Sequence, residues 1–222
     1  RLWNRADLPA PMKPYMDALQ VCSGGLKLRR YPGSPWLAAH FAREIDTLRF
    51  CELHSTDFAL LRRQFRDGGR RVKVEQHDGF EAMKAALPPP SRRGMVLIDP
   101  SYEIKSDYLK VIAAIRDGLK RFATGSYLVW LPFLPSIEAR ALPEKLKKLP
   151  ADWLYASLSV RGPATKGHGM SGSAMFIVNP PWTLKNALEE SLPWLAQVLA
   201  LDEKAEWTVE VSPAGTAKPR AD

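Results

Sequence analysis

Four consecutive residues hold the densest set of groups for chemistry. Asp99-Pro100-Ser101-Tyr102 follows directly on the apolar run Met95-Val96-Leu97-Ile98. A carboxylate and a neighbouring backbone carbonyl can together accept both hydrogens of a planar exocyclic amine. Such an amine, as on adenine, is a poor nucleophile because its lone pair is delocalised into the ring. Binding both hydrogens shifts the nitrogen toward tetrahedral geometry and frees that pair. Asp99 and the Pro100 carbonyl supply the acceptors, Tyr102 supplies a ring to stack on the base, and proline stiffens the turn. The same residues also read as an ordinary strand-end aspartate holding a turn. Asn179-Pro180-Pro181-Trp182 repeats the pattern after a second apolar run. There the expectation is a Pro-Pro turn that ends a strand and packs Trp182.

Other acceptors surround these. Glu52 ends an extended segment, where a carboxylate can take both hydroxyls of a ribose. Asp78 reads as a helix N-cap and can also accept an adenine amino group. Gly79 beside it lets backbone approach a flat ligand. Ser34 reads as an N-cap ahead of Pro35 at the first helical position, and its helix N-terminus can meet a carboxylate or a ribose. The loop from Arg161 to Ser171 carries Arg161, Lys166 and four glycines or prolines among them. Arg161 and Lys166 suit an RNA backbone, although a solvated loop has the same composition. His40, His54, His77 and His168 lack the spacing of metal ligands, and no metal site is expected.

These residues need elements to place them. Apolar positions at Leu8, Met12, Tyr15, Met16 and Leu19 predict a short helix stopped by Ser23-Gly24-Gly25. Strands are expected at 48–53, 72–75, 94–99 and 126–131, each followed by a helix. The strand at 94–99, apolar throughout, reads as a buried parallel strand. Ser106-Asp107 should cap a helix whose face is Tyr108, Ile112, Ile115, Leu119 and Phe122. Two further strands, 154–160 and 174–178, have no helix between them and should form an antiparallel hairpin. A helix over 184–199 contains Pro193.

Alternating strands and helices predict an α/β fold, a doubly wound parallel sheet with right-handed crossovers and an antiparallel last strand. In such a sheet a ligand lies at the carboxyl ends of the parallel strands. That favours Glu52, Asp78, Asp99 and the stretch 130–133. It places Arg70, Arg71, Arg92 and Arg93, which precede strands, on the opposite rim. It also places Asn179-Pro180-Pro181-Trp182 away from the ligand.

Composition narrows the class. The 222 residues carry 32 Lys plus Arg against 24 Asp plus Glu, a net charge of +8 that favours a polyanionic partner. Apolar residues make up 45%, enough for a packed core rather than a disordered chain. No apolar run approaches the roughly 20 residues that a bilayer requires. Two cysteines, Cys22 and Cys51, form neither a disulfide scaffold nor a zinc site, so a reduced, cytoplasmic protein is expected. The chain opens at Arg1 rather than Met and without the apolar stretch of a signal peptide, so it is expected to be a fragment.

The motif Asp/Asn-Pro-Pro-aromatic at a strand end is the signature of amino-group methyltransferases. More specifically, Tyr31-Pro32-Gly33-Ser34-Pro35, Glu52-Leu53-His54, Asp78-Gly79-Phe80, Ser91-Arg92-Arg93-Gly94, Asp99-Pro100-Ser101-Tyr102-Glu103, Lys120-Arg121-Phe122-Ala123-Thr124-Gly125 and Asn179-Pro180-Pro181-Trp182 occur in this order. As a set they closely resemble the bacterial 23S ribosomal RNA adenine-N6 methyltransferase J family over nearly the whole chain. The resemblance implies the class I fold that uses S-adenosylmethionine. It implies a helical insertion over residues 1–30 and a methyltransferase core over 31–212; the tail over 213–222, low in apolar residues, is expected to be mobile. It implies methylation of one adenine of 23S rRNA by a protein that acts without a metal, away from membranes and as a monomer.

By the same resemblance, Ser34, Glu52, Asp78 and Gly79 contact S-adenosylmethionine, with Glu52 on the ribose and Asp78 on the adenine. Asp99 is the catalytic acceptor and borders the cofactor, Pro100 offers its carbonyl and Tyr102 stacks on the target base. Two departures stand out. Ser101 replaces the family's second proline. The family's first, central strand and its Asp-x-His-Ala-Gly-x-Gly loop, which cradles the methionine end of the cofactor, are absent. The sheet is therefore expected to lack a middle strand, leaving two unpaired edges, and this polypeptide by itself is expected to be inactive. Two alternatives stay open: a DNA adenine-N6 methyltransferase, and a non-catalytic nucleic-acid-binding domain of the same fold.

Overall fold

The computed structural model describes residues 1–25, 27–163 and 170–213. These form two compact units, one over 2–85 and the other over 86–222 together with Arg1.

In the first unit, a single 3-10 turn leads into helix α1 (Lys13–Ser23), which buries Met16, Ala18, Leu19 and Ser23. Gly24 ends it at φ +71°, a left-handed cap that a residue with a Cβ adopts only at a cost. The buried Ser23 hydroxyl donates to the Arg30 carbonyl at 2.9 Å and so ties the next segment back to the helix. Helix α2 (Ser34–Phe41) has Gly33, not Ser34, as its N-cap: Trp36 and Leu37 N–H both donate to the Gly33 carbonyl. Strand β1 (Leu48–Cys51), helix α3 (Ser55–Gln64), strand β2 (Val72–Glu75) and helix α4 (Gly79–Ala86) complete the unit. The strands β1 and β2 pair in parallel, with Leu48 opposite Val72 and Cys51 opposite Glu75.

The second unit holds a five-stranded sheet. It contains β3 (Met95–Ile98), helix α5 (Lys105–Arg121), β4 (Ser126–Pro132), helix α6 (Ile137–Leu146), β5 (Trp153–Ser159), β6 (Gly172–Val178), helix α7 (Leu184–Leu199) and β7 (Glu206–Val211). The strand order is β3-β4-β6-β5-β7. Only β3 and β4 are parallel; β6 runs antiparallel to both β4 and β5, which confirms the expected hairpin. The seventh strand, antiparallel to β5, was not expected from the sequence, although Trp207, Val209 and Val211 alternate with polar residues.

The core lies between this sheet and its helices. Tyr127, Val129 and Leu131 of β4 alternate inward on one face beside Phe176 and Val178 of β6, all nearly inaccessible, as are Val111 and Ile115 of α5. Leu154, Ala156, Ile177 and Leu192 form a cluster on which Leu188 and Leu195 of α7 and Val209 of β7 pack. Gly172 holds the hairpin tight: a Cβ there would strike the Leu158 carbonyl and Ser159.

Beyond the cap of α2, two expectations need correction. Helix α5 starts at Lys105 with Ile104 as N-cap; Asp107 is buried inside its first turn and pairs with Lys110 at 3.3 Å instead of capping. Strand β3 is not buried on both faces. It pairs with β4 alone, and Met95 and Leu97 stand 68% and 45% exposed. In the first unit β1 likewise pairs with β2 alone. Among the described residues, β3 pairs on one side only and the pair β1–β2 has no third strand, so each unit leaves a strand edge open.

Candidate active site

The expected site residues fall into two groups, one in each unit.

In the first unit, Glu52 and Asp78 stand just beyond the carboxyl ends of the paired strands β1 and β2. The Glu52 N–H donates to the Glu75 carbonyl at 3.1 Å, so the ladder runs one residue past β1 and fixes Glu52 at the rim. Its Oε1 accepts the His54 N–H at 2.7 Å, which orients the carboxylate and leaves Oε2 uncommitted. Asp78 does what an N-cap does: Oδ1 accepts the Phe80 N–H at 2.8 Å, and its carbonyl accepts the Ala82 N–H at 2.9 Å. Its other carboxylate oxygen remains available. The Asp78 charge also reaches the neighbouring strand end. The Cys51 thiol is pushed up first by burial and then by Glu75 and Asp78, against the opposing pull of Arg49 and Lys73.

Gly79 opens α4 on the same rim. A Cβ at this position would rest 3.8 Å from the Cys51 Cβ, an ordinary contact. Packing therefore does not require glycine there, and its bare backbone leaves the rim open to a flat group. Ser34 is exposed at the start of α2 and its hydroxyl has no partner among the described residues. Two carboxylates that each keep an oxygen unpaired among the described residues, a glycine and an exposed serine hydroxyl can accept the hydroxyl and amino hydrogens of a flat polar ligand.

In the second unit, Asp99 and Pro100 leave the carboxyl end of β3. Neither the Asp99 carboxylate nor the Pro100 carbonyl has a hydrogen-bond partner among the described residues. Asp99 reaches solvent, yet the protein around it displaces enough water to push its carboxyl pKa up. It is an acceptor that the fold has left free and partly dried.

Tyr102 takes a different place from the one its role as a stacking ring suggests. It is 5% exposed, its backbone is left-handed at φ +56°, and its ring lies 4.9 Å from that of Tyr108 at 39°. Its hydroxyl donates to the Trp130 carbonyl at 2.7 Å. Burial, and then the Asp99 carboxylate, push the phenol well above its usual range. The tyrosine thus ties the segment after β3 to β4. Of its supports, Trp130 belongs to the stretch 130–133 that the sequence placed on the ligand rim, whereas Tyr108 was not picked out as part of a site. Tyr108 showed only as a member of the apolar face of α5, and the backbone carbonyl of Trp130 leaves no mark on a sequence.

Arg161 is exposed and donates to the Met170 carbonyl at 3.3 Å, across the base of the loop between β5 and β6. The register of Pro132 opposite Ser173 places that end of the hairpin at the carboxyl end of β4, on the rim that bears Asp99. Lys166 lies outside the described residues. The described residues include no cluster of His, Cys, Asp and Glu able to hold a metal. None of their helices is long and apolar enough to cross a membrane.

Asn179-Pro180-Pro181-Trp182 stands at the opposite rim, as the topology predicted: Asn179 follows β6 beside Ser126, the first residue of β4. The Asn179 Nδ2 donates to the carbonyls of Ala123 and Gly125 at 2.8 and 2.7 Å. The Ser126 hydroxyl donates to the Asn179 carbonyl at 2.9 Å. These bonds leave Asn179 a structural residue. Trp182, expected to pack, is instead 90% exposed.

Known proteins resemble the chain over most of its length. Residues 1–212 match the family described as Ribosomal RNA large subunit methyltransferase D, RlmJ. The chain is 41% identical over 212 residues to Ribosomal RNA large subunit methyltransferase J of Haemophilus influenzae, covering 95% of this chain and 75% of that protein. The protein of the same name from Escherichia coli K12 is 41% identical over 203 residues, covering 88% of this chain and 69% of its own. Among solved structures, protein LPL1258 from Legionella pneumophila superposes with a TM-score of 0.86 at 29% identity, over 95% of this chain and 78% of that one.

Proposed function

Since the chain belongs to the Ribosomal RNA large subunit methyltransferase D, RlmJ, family, we propose that it methylates the N6 amine of an adenine in 23S rRNA, with S-adenosylmethionine as methyl donor. The observation that carries this reading is the free, partly desolvated Asp99 carboxylate beside the unused Pro100 carbonyl at the end of β3.

When bound, S-adenosylmethionine supplies an electrophilic methyl group on a sulfonium. Every other part of the chemistry falls to protein groups. Asp99 accepts one hydrogen of the adenine amine and the Pro100 carbonyl accepts the second, localising the nitrogen lone pair. Asp99 is the stronger acceptor when ionised, and its partial desolvation strengthens the hydrogen bond that it makes. Tyr102, fixed on Trp130 and Tyr108, holds the turn that carries both acceptors. No covalent enzyme intermediate is needed, because placing nucleophile and methyl group in line provides most of the gain. The target base has to leave its stack to reach such acceptors.

Glu52 receives the ribose hydroxyls of the donor, Asp78 its adenine amine, and Ser34 and Gly79 border it. These residues account for the adenosine half of the molecule.

A substrate exchange tests the reading. A polypeptide carrying this sequence at the full length of its relatives is given labelled S-adenosylmethionine and either unmodified 23S rRNA or duplex DNA. Nucleoside analysis should find label in N6-methyladenosine from the rRNA alone. Label in DNA, or on another atom of the RNA, would overturn it.

A further inference from the structure

Trp182 is presented to solvent by a turn that is itself held rigidly. Four hydrogen bonds fix Asn179: two from its amide to Ala123 and Gly125, one from Ser126 to its carbonyl, and one from its N–H to the Asp152 carbonyl at 2.8 Å. Pro180 and Pro181 then stiffen the path to the tryptophan, and the Leu184 N–H closes the turn on the Pro181 carbonyl at 3.0 Å. Isolated exposed apolar side chains are common. An indole left 90% exposed on an anchored, double-proline turn is different, because the entropy of ordering its backbone has already been met.

The neighbouring loops of the same rim are basic. The Ser126 N–H donates to the Gly94 carbonyl at 3.2 Å, which brings the loop before β3, with Arg92 and Arg93, alongside the start of β4. Lys120 and Arg121 end α5 just before Ala123 and Gly125, the acceptors of Asn179. Arg92, Arg93 and Lys120 are exposed and have no ion-pair partner among the described residues. On this side Asp117 is occupied by Arg121 at 2.7 Å, and the rim also bears the exposed Asp152, whose carbonyl holds the Asn179 N–H. An exposed aromatic ring and unpaired cations on one rim are the composition of a surface that binds single-stranded nucleic acid: the ring stacks on a base and the cations follow the phosphates.

We propose that Trp182, Arg92, Arg93 and Lys120 form a second RNA-docking patch, on the rim opposite Asp99, that grips a single-stranded segment away from the methylated adenine. The choice of RNA as occupant rests on the function proposed above; the patch itself rests on the indole and its cations. A protein partner would not require three unpaired cations on the rim that presents the ring.

The test uses the whole chain and a fluorescently labelled 12-nucleotide single-stranded RNA, with binding read by anisotropy over a range of salt concentrations. Trp182→Ala should weaken binding about 5-fold to 150-fold, the usual worth of one stacked base, while Trp182→Phe keeps most of the affinity. The double variant Arg92→Ala/Arg93→Ala should flatten the plot of log affinity against log salt by about 1.4, or about 0.7 for each phosphate left without its cation. Trp182→Ala should leave that slope unchanged. Because the position is exposed, thermal melting of Trp182→Ala should match the parent. Binding of Trp182→Ala within twofold of the parent, or an unchanged salt slope in the double variant, would overturn the patch. Methyl transfer to 23S rRNA is a separate readout, so the patch can fail while the methyltransferase reading stands.

Discussion

The phenol of Tyr102 donates to the backbone carbonyl of Trp130 at 2.7 Å, joining the turn after β3 to the neighbouring strand β4. The turn carries the Asp99 and Pro100 acceptors, so this bond positions them. The ring stands on Tyr108 and the backbone at Tyr102 is left-handed, a conformation that a tyrosine holds only when its surroundings compel it. Tyr102→Phe keeps the ring and leaves the Trp130 carbonyl unpaired in a half-buried setting. It should cost about 1–2 kcal/mol of stability in a denaturant titration. Tyr102→Ala, which also opens a cavity beside Tyr108, should cost about 3–5 kcal/mol. Equal losses for the two would mean that the hydrogen bond rather than ring packing holds the turn.

Asn179 offers a second structural test. Its amide satisfies two carbonyls and its backbone sits at φ +52°, which asparagine tolerates better than most residues. Asn179→Ala loses both bonds and adds backbone strain, with an expected cost of about 2–4 kcal/mol. Asn179→Gly loses the bonds but relieves the strain, and should recover about 1 kcal/mol of that loss. If Gly proved worse than Ala in thermal melts, the left-handed conformation would not be the source of the strain.

Gly79 separates packing from ligand approach. Its added Cβ would meet only Cys51, at 3.8 Å. Gly79→Ala should therefore fold with a midpoint close to the parent. Binding of S-adenosylmethionine, measured by calorimetry in the protein at the relatives' full length, should weaken by about tenfold, roughly 1.4 kcal/mol. Unchanged binding would remove Gly79 from the donor's surroundings.

The pH dependence follows from Asp99. Its carboxyl is pushed above the ordinary value of 3.8 by desolvation, so the folded chain binds this proton more readily than the unfolded chain does. The stability due to that proton is complete below pH 3.8 and is lost as pH rises through the higher folded value. At neutral pH the ionised Asp99 is thus a cost. Asp99→Asn should melt higher than the parent at pH 7, with the difference vanishing toward pH 3.8. Methyl transfer should fall on the acid side at a pH above that of a fully solvated aspartate, since the ionised carboxylate is the stronger acceptor of the amine hydrogen. Melting curves and rate profiles across pH check both statements.

The alternation of apolar runs and helical spacings specified most of the fold. Strands β2 and β4 and helix α7 start where periodicity placed them, and the hairpin of β5 and β6 follows from the lack of a helix between them. Helix starts were less legible. Ser34 and Asp107 both look like caps in sequence, but the cap is chosen by the backbone angles of the residue before the first helical turn. Gly33 and Ile104 occupy that position. The burial of β3 was misread because an apolar run does not disclose how many neighbours a strand has: β3 has one, and Met95 and Leu97 remain open. Within the site, Asp99, Glu52 and Asp78 were legible as strand-end acids. The stretch 130–133 was placed on the same rim, but the bond from Tyr102 to the Trp130 carbonyl and the support from Tyr108 were not legible, since a backbone carbonyl and a ring already assigned to the core leave no separate signal. Trp182 shows the reverse: a residue expected to pack stands in solvent.

The central claim is that the Asp99 carboxylate accepts a hydrogen of the adenine amine during transfer. The most direct measurement compares parent and Asp99→Ala, at the relatives' full length, for single-turnover methylation of 23S rRNA and for S-adenosylmethionine binding. The account predicts a transfer rate lower by about 100-fold or more, with donor binding within about tenfold of the parent. Transfer by Asp99→Ala at a near-parental rate would contradict it.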